Sequence, residues 1–180
     1  MRILIAIWLF LFPIGVLGWQ LAVGGGLTAG LVDGMEPTGT ATGWNMFAQW
    51  SRQPIVGQRW AVDLDAGQFA TGRVHSGLVE RGRIESAALL WEQRVPLSYD
   101  LRPWMGIGGG LDHLRYDDRL QINSQGYAIG TFPATRETSV CLQGIIVLPI
   151  SHSWSASLVG STDFPGHLST ITTTLIWRLL

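Results

Sequence analysis

Two His–Ser pairs are the residues of this chain best suited by type to nucleophilic catalysis. His75 directly precedes Ser76, and His167 lies two positions before Ser169. In a strand, a spacing of two puts both side chains on one face, where an imidazole could accept the hydroxyl proton, and Asp163 is near the second pair. Spacing alone fixes no third group for either pair. We therefore predict no catalytic site and keep His167, Ser169 and Asp163 as an alternative.

Metal and cofactor chemistry has no support in the sequence. Cys141 is the single cysteine, and neither it nor any histidine has partners at the spacing of metal ligands. The glycine-rich segment 106–110 opens no helix, so it lacks the context of a phosphate-binding loop. The formal net charge is -1 without a block of like charge. We expect no metal, no cofactor and no nucleic-acid partner.

The composition is that of a membrane protein with one domain. Apolar residues make up 47% of the 180 residues and charged residues 14%, against roughly 25% charged in an average soluble domain. After residue 18, no apolar run approaches the ~18 residues of a transmembrane helix. Lipid offers the backbone no hydrogen-bond partners, so such a chain can span a membrane only as a closed β-barrel.

Residues 1–18 have the pattern of a secretory signal peptide. Arg2 is followed by an apolar stretch from Ile3 to Phe12 and by the helix breaker Pro13. The small residues Val16 and Gly18 fit the cleavage positions, and the stretch is short for a stop-transfer anchor. An uncleaved membrane anchor is the alternative. We expect the mature domain to cover residues 19–180.

The mature chain alternates apolar and polar residues in runs, which is the period of two typical of β-strands. We predict eight strands at about 19–31, 44–51, 59–65, 83–94, 103–114, 139–148, 153–163 and 169–180. The intervening segments 32–43, 67–82 and 115–136 are predicted as long loops, and the others as tight turns. Long and short connections alternate until the last one, as in outer-membrane barrels with short periplasmic turns and long extracellular loops. The predicted fold is an all-β, antiparallel, up-and-down transmembrane barrel.

Tryptophan follows strand direction. If the mature N-terminus is periplasmic, seven tryptophans begin upward strands or end downward ones, which would form an aromatic girdle at one membrane interface. These are Trp19, Trp50, Trp60, Trp91, Trp104, Trp154 and Trp177. A soluble β-sandwich, the main alternative fold, predicts no such correlation with strand direction.

The opposite face of the strands would gather charges of both signs inside the barrel. The predicted lumen network consists of Arg59, Asp63, Asp65, Glu92, Arg94, Asp112 and Arg178, with Asp163 as a further candidate. An eight-stranded barrel is only wide enough inside for side chains, so the simplest role is a structural plug; a narrow proton or ion path is the alternative. Glycines at 106, 108 and 110 leave one inner face bare and make room for large neighbours.

The segment 101–111, Leu-Arg-Pro-Trp-Met-Gly-Ile-Gly-Gly-Gly-Leu, resembles the recurrent strand of small outer-membrane β-barrel proteins, in which a proline and an aromatic residue precede alternating glycines. The predicted leader and the terminal strand 169–180 fit this group as well. Within it, the lipid A deacylases, or acyloxyacyl hydrolases, use a His-x-Ser pair with a Glu near the chain end. His167 and Ser169 have that spacing, and no Glu follows Glu137.

The resemblance implies export to the periplasm, insertion by the outer-membrane assembly machinery, and residence in the outer membrane among membrane lipid and lipopolysaccharide. We expect a non-enzymatic structural or surface-interaction role, in which extracellular loops contact lipopolysaccharide or ligands. A lipid A-modifying hydrolase and a narrow small-solute channel are the two alternatives. The sequence does not indicate an oligomeric state.

Overall fold

A computed structural model describes residues 19–32, 39–71, 77–79, 81–97, 102–164 and 168–179. The predicted signal peptide, residues 1–18, lies outside this range, as do both residues of the His75–Ser76 pair. The described residues form eleven strands. In chain order they are β1 (Trp19–Val32), β2 (Gly39–Ile55), β3 (Gln58–Thr71), β4 (Gly77–Val79), β5 (Arg81–Arg94), β6 (Trp104–Tyr116), β7 (Arg119–Ile122), β8 (Ala128–Phe132), β9 (Thr135–Pro149), β10 (Trp154–Phe164) and β11 (Leu168–Arg178).

Eight of these strands close into an antiparallel barrel. Each barrel strand pairs with the barrel strand before and after it in the chain, and β1 pairs with β11 to complete the ring. The closed ring leaves no open sheet edge in the wall. The prediction of an all-β, eight-stranded, up-and-down barrel is confirmed.

No helix among the described residues is long and apolar enough to cross a membrane.

The strands alternate between an apolar outer face and an inner face of mixed polarity. On β2, for example, Trp44 and Met46 are exposed while Asn45 and Gln49 are buried. A period of two therefore separates the environment outside the wall from the lumen, as the alternation of the sequence predicts. We call the end at which β1 begins and β2 ends the Trp-rich end, and the opposite end the loop end.

Six of the eight barrel strands are longer than predicted, and two of the predicted loops contain strands. β4 lies within 67–82, and β7 and β8 lie within 115–136. They form a separate three-stranded sheet in the order β4-β7-β8, with Leu78 of β4 opposite Gln121 of β7. Polar composition suggested irregular loops here, but strands of three to five residues carry little alternation, and their pairing joins segments far apart in the chain.

A tight turn joins β7 and β8, two strands of this three-stranded sheet. The Asn123 carboxamide oxygen accepts hydrogen bonds from the backbone N–H groups of Gln125 and Tyr127, each at 2.9 Å. Gly126 has a positive φ of 82°, a left-handed conformation that glycine adopts without a Cβ clash. The three strands of this sheet belong to the β3–β5 and β6–β9 connections, at the loop end of the barrel.

Apolar side chains fill the lumen in two clusters. The larger one includes Phe47, Leu90, Trp104 and Ile145, and the smaller one pairs Leu114 with Tyr116 near the loop end, against Phe69 and Ile84. Phe69 and Tyr116 meet edge to face, with ring centroids 5.8 Å apart. The lumen is therefore packed with side chains, as expected for a barrel of this strand number.

Candidate functional site

The lumen contains a buried ion pair between neighbouring strands. Arg59 of β3 is the register partner of Glu92 of β5. Its Nη2 and Nε donate hydrogen bonds to Glu92 Oε2 at 2.6 and 3.0 Å. The two side chains are 6% and 0% exposed, so water screens this pair little.

Gln49 connects the ion pair to a second carboxylate. The Nε2 group of this β2 residue donates to Glu92 Oε1 at 3.0 Å and to Asp63 Oδ1 at 2.9 Å. Gln49 and Asp63 are also opposite each other in register, and both are buried. The structure thus assembles Arg59, Asp63 and Glu92 into one hydrogen-bonded network across three adjacent strands.

Trp104 lies inside the barrel, between two arginines. The Arg59 guanidinium carbon is 4.5 Å from the centroid of the ring, and that of Arg94 is 5.9 Å away. Both distances fall within the range of a cation–π contact. The expectation that Trp104 belongs to an outer girdle is wrong, because even-numbered β6 positions face the lumen and Trp104 is 6% exposed. Trp104 lies at the predicted end of the barrel, but its side chain is on the inner face of the wall instead of the outer face.

The remaining predicted lumen residues lie outside this network. Asp65 accepts a 2.6 Å hydrogen bond from Asn45 Nδ2, which also reaches Thr174 Oγ1 at 3.4 Å. Arg178 Nη2 donates to Ser155 Oγ at 3.2 Å. Arg94 is exposed at the Trp-rich end and contacts the network through Trp104. Asp112 is buried next to its register partner Ser139, and one of its oxygens has no partner in the described part of the chain.

The prediction restricted the network to charged residues and therefore missed Gln49, Asn45 and Trp104. Asn45, Gln49 and Ser51 all stand at odd-numbered positions of one predicted strand, so alternation puts them on one face and their inward direction was available from the sequence. Their role could not be predicted from the sequence, because the hydrogen bonds that a neutral amide donates depend on which carboxylates lie next to it in the folded barrel.

Two small voids are lined by described residues of the barrel. One of about 20 Å³ lies near the loop end, lined by Phe69 and Ile84 among others, and one of about 10 Å³ lies beside Arg59 and Arg178. A void needs ~10–15 Å³ of this kind to hold one water molecule. Each of these two voids is therefore the size of one or two water molecules.

Six of the seven predicted girdle tryptophans lie at the Trp-rich end with their side chains on the outer face. Trp60 is the register partner of Trp91, and Trp154 is that of Trp177. Trp154 and Trp177 stack with ring centroids 6.2 Å apart and planes inclined by 21°. The other two are Trp19 and Trp50, which are half-buried. Trp44 is exposed nearer the loop end.

The weak catalytic candidates are not assembled in the described residues. Ser169 points outward and its hydroxyl lies 3.1 Å from that of Thr162. Asp163 points into the lumen, 1% exposed, so the barrel wall separates it from Ser169. His167 lies outside the described residues. Within the part of the chain that the structure describes, no group of His, Cys, Asp and Glu side chains could hold a metal ion.

Comparison by sequence finds no matching family model and no matching curated protein. Comparison by structure finds small outer-membrane barrels. Ail, the attachment invasion locus protein of Yersinia pestis, superimposes with a TM-score of 0.50 at 11% identity, covering 89% of this chain and 97% of Ail. Neisserial surface protein A gives a TM-score of 0.56 at 10% identity, covering 90% of this chain and 96% of that protein. At these identities the likeness shows the fold, a small eight-stranded barrel, and leaves the role open.

Proposed function

We propose that this protein spans the bacterial outer membrane with its eight strands and acts through its extracellular surface, without catalysis. One observation carries the proposal, the inversion of the usual polarity. Leu27, Met46 and Ile171 are 70%, 64% and 61% exposed, whereas the Arg59–Glu92 ion pair is enclosed. A water-soluble domain would be more stable with these apolar side chains inside and the charged ones outside. A barrel that faces lipid is stabilised by the observed arrangement.

The orientation follows from the two ends of the barrel. In this proposal the Trp-rich end lies at the periplasmic interface, where indole rings contact both acyl chains and headgroups. The loop end, with the β4-β7-β8 sheet, then extends outside the cell and contacts lipopolysaccharide or other surface ligands. Export by a cleaved leader at residues 1–18 and insertion by the outer-membrane assembly machinery belong to the same proposal.

The lumen serves rigidity in this proposal, and the ion network acts as a plug. Gln49 joins three strands through hydrogen bonds, and two clusters of buried apolar side chains pack in the same lumen. The small cavities support this role over that of a solute channel. Planar-bilayer recordings of the refolded protein should show no conductance steps above baseline. Reproducible steps would favour the channel instead.

Cell fractionation combined with heat-modifiability on a gel tests the membrane assignment. The full chain, expressed in a Gram-negative host, should partition with the outer membrane and migrate differently before and after boiling, because a closed barrel resists the detergent until heated. Recovery in the soluble periplasmic fraction, with no mobility shift, would overturn the proposal. Ser169→Ala in the same strain should leave the acylation of lipid A unchanged.

A further inference from the structure

Three arginines form a row on the outer face of the barrel at the loop end. Arg83 of β5 is the register partner of Arg115 of β6, and Arg115 is the register partner of Arg136 of β9. Their positions continue the outward-facing alternation of Leu89, Leu111 and Val140, and all three side chains are exposed. The wall thus presents three guanidinium groups side by side across three adjacent strands.

The row is unusual because its like charges lie directly opposite one another in register. Directly opposite residues of an antiparallel pair have Cβ atoms only about 4.5–5.5 Å apart, and like charges in that position destabilise the sheet. Arg115 has such a neighbour on both sides. Among the described residues, none of the three guanidinium groups takes part in an ion pair or a side-chain hydrogen bond. In the described strands, no carboxylate is a register partner of any of the three arginines. An anion that contacts more than one arginine would remove the repulsion.

The position of the row along the barrel identifies the kind of anion. On the outer face of β6, Met105 lies at the Trp-rich end, and Arg115 is ten positions further along the strand. At ~3.3 Å per residue and a tilt near 40°, that is about 25 Å along the barrel axis, the height of the apolar band of such barrels. The next outward row toward the Trp-rich end is polar, Glu85, His113 and Thr138, and below it the face is apolar. In the proposed orientation, the arginines therefore lie at the level of the lipid headgroups of the outer leaflet.

We propose that Arg83, Arg115 and Arg136 bind the phosphate groups of an outer-leaflet lipid. Guanidinium groups suit this ligand because each presents paired N–H donors to phosphate oxygens, and neighbouring arginines can share a headgroup that carries two phosphates. The site rests on the proposed outer-membrane location and gives the lipopolysaccharide contact specific residues. It lies on the barrel wall, apart from the β4-β7-β8 sheet.

Lipid retention by the refolded full chain in a maltoside detergent tests the site. The probes are lipid A with both phosphates, lipid A with the phosphates removed, and inorganic phosphate, with bound lipid counted by native mass spectrometry. The double variant Arg83→Gln, Arg115→Gln should bind bisphosphorylated lipid A about tenfold more weakly than the wild type. The control Arg52→Gln, Arg102→Gln loses the same charge from two exposed arginines away from the row and should bind as the wild type does.

Removal of the phosphates should weaken binding to the wild type to the level of the double variant, and millimolar inorganic phosphate should not displace the lipid. Equal loss in both arginine variants would mean that only net charge matters, and equal retention of dephosphorylated lipid would mean that acyl chains alone bind; either result overturns the site. Displacement by inorganic phosphate would overturn the lipid assignment.

Each variant must stay heat-modifiable. Soluble periplasmic recovery of the wild type contradicts the proposed function, whereas an unaffected double variant in the outer membrane contradicts only this inference.

Discussion

Arg59 and Glu92 meet inside the barrel with 2.6 Å between Nη2 and Oε2, and neither side chain is more than 6% exposed. Removing one partner of such a pair leaves the other charge buried, which costs about 3–5 kcal/mol. We expect Glu92→Gln to lower the free energy of unfolding by this amount, because Gln keeps the shape but not the charge. Urea titration in phosphatidylcholine vesicles, read by heat-modifiability, measures it.

Glu85→Gln is the matched control, because Glu85 is on the same strand but exposed on the outer face. We expect it to change the free energy of unfolding by less than about 0.5 kcal/mol. The double variant Arg59→Gln, Glu92→Gln should be less destabilised than the sum of its single variants, since it removes both charges of the pair together. If Glu92→Gln behaved like Glu85→Gln, the ion pair would have no structural role.

The opposite directions of Trp104 and Trp60 predict different responses to a lipid-borne quencher. Brominated acyl chains quench tryptophans on the outer wall, and Trp104 is enclosed between Arg59 and Arg94. Trp104→Phe should therefore raise the fraction of fluorescence that is quenched, because it removes a protected emitter. Trp60→Phe should lower that fraction, because Trp60 is 48% exposed. Equal changes in both variants would place Trp104 on the outer wall.

The inward glycines of β6 predict a sharp cost of adding one methyl group. A Cβ on Gly108 would overlap the Leu89 carbonyl oxygen and come within 2.7 Å of Leu90 Cδ2, so backbone and core would both have to move. We expect Gly108→Ala to destabilise the barrel by about 1–3 kcal/mol. Equilibrium unfolding in vesicles measures this loss.

Gly160→Ala provides the comparison, because a Cβ there would meet nothing within 4 Å. It should be neutral or stabilise by up to about 1 kcal/mol, since alanine restricts the unfolded chain. Similar losses at both positions would indicate a general intolerance of strand glycines to substitution rather than a close contact at Gly108.

Alternation predicted the strands, their inward faces and the closed fold, because one face of each strand is apolar and points outward while the other meets packed side chains. It could not predict the β4-β7-β8 sheet, whose pairing depends on two loops approaching each other in space. It also could not identify which inward residues meet. Gln49 joins Glu92 to Asp63 only because β2, β3 and β5 are consecutive neighbours in a particular register.

The candidate site shows the same limit. Positions in the strands predicted which charged residues face inward, but the girdle prediction placed Trp104 on the outer wall by its height alone. The alignment of Arg83, Arg115 and Arg136 was hidden as well, since the three lie on different strands and their spacing in the sequence has no regular period. Register is a property of the folded sheet, and one residue of slip would have reversed their faces.

That register gives the arginine row an effect on stability that has opposite signs with and without lipid. Arg115→Gln removes a like-charge neighbour from both Arg83 and Arg136, so in a maltoside detergent at low salt it should stabilise the barrel by about 0.5–1 kcal/mol. Raising the salt to about 1 M should abolish the gain, because the Debye length falls to ~3 Å. With bisphosphorylated lipid A present, the wild type should become the more stable protein, since lipid that binds only the folded state stabilises it.

Arg52→Gln, whose register partners are Trp19 and Trp60, should show neither effect. Thermal unfolding followed by heat-modifiability measures both variants in all three conditions, and an Arg115→Gln variant that is destabilised without lipid would contradict the argument that the row is under repulsion.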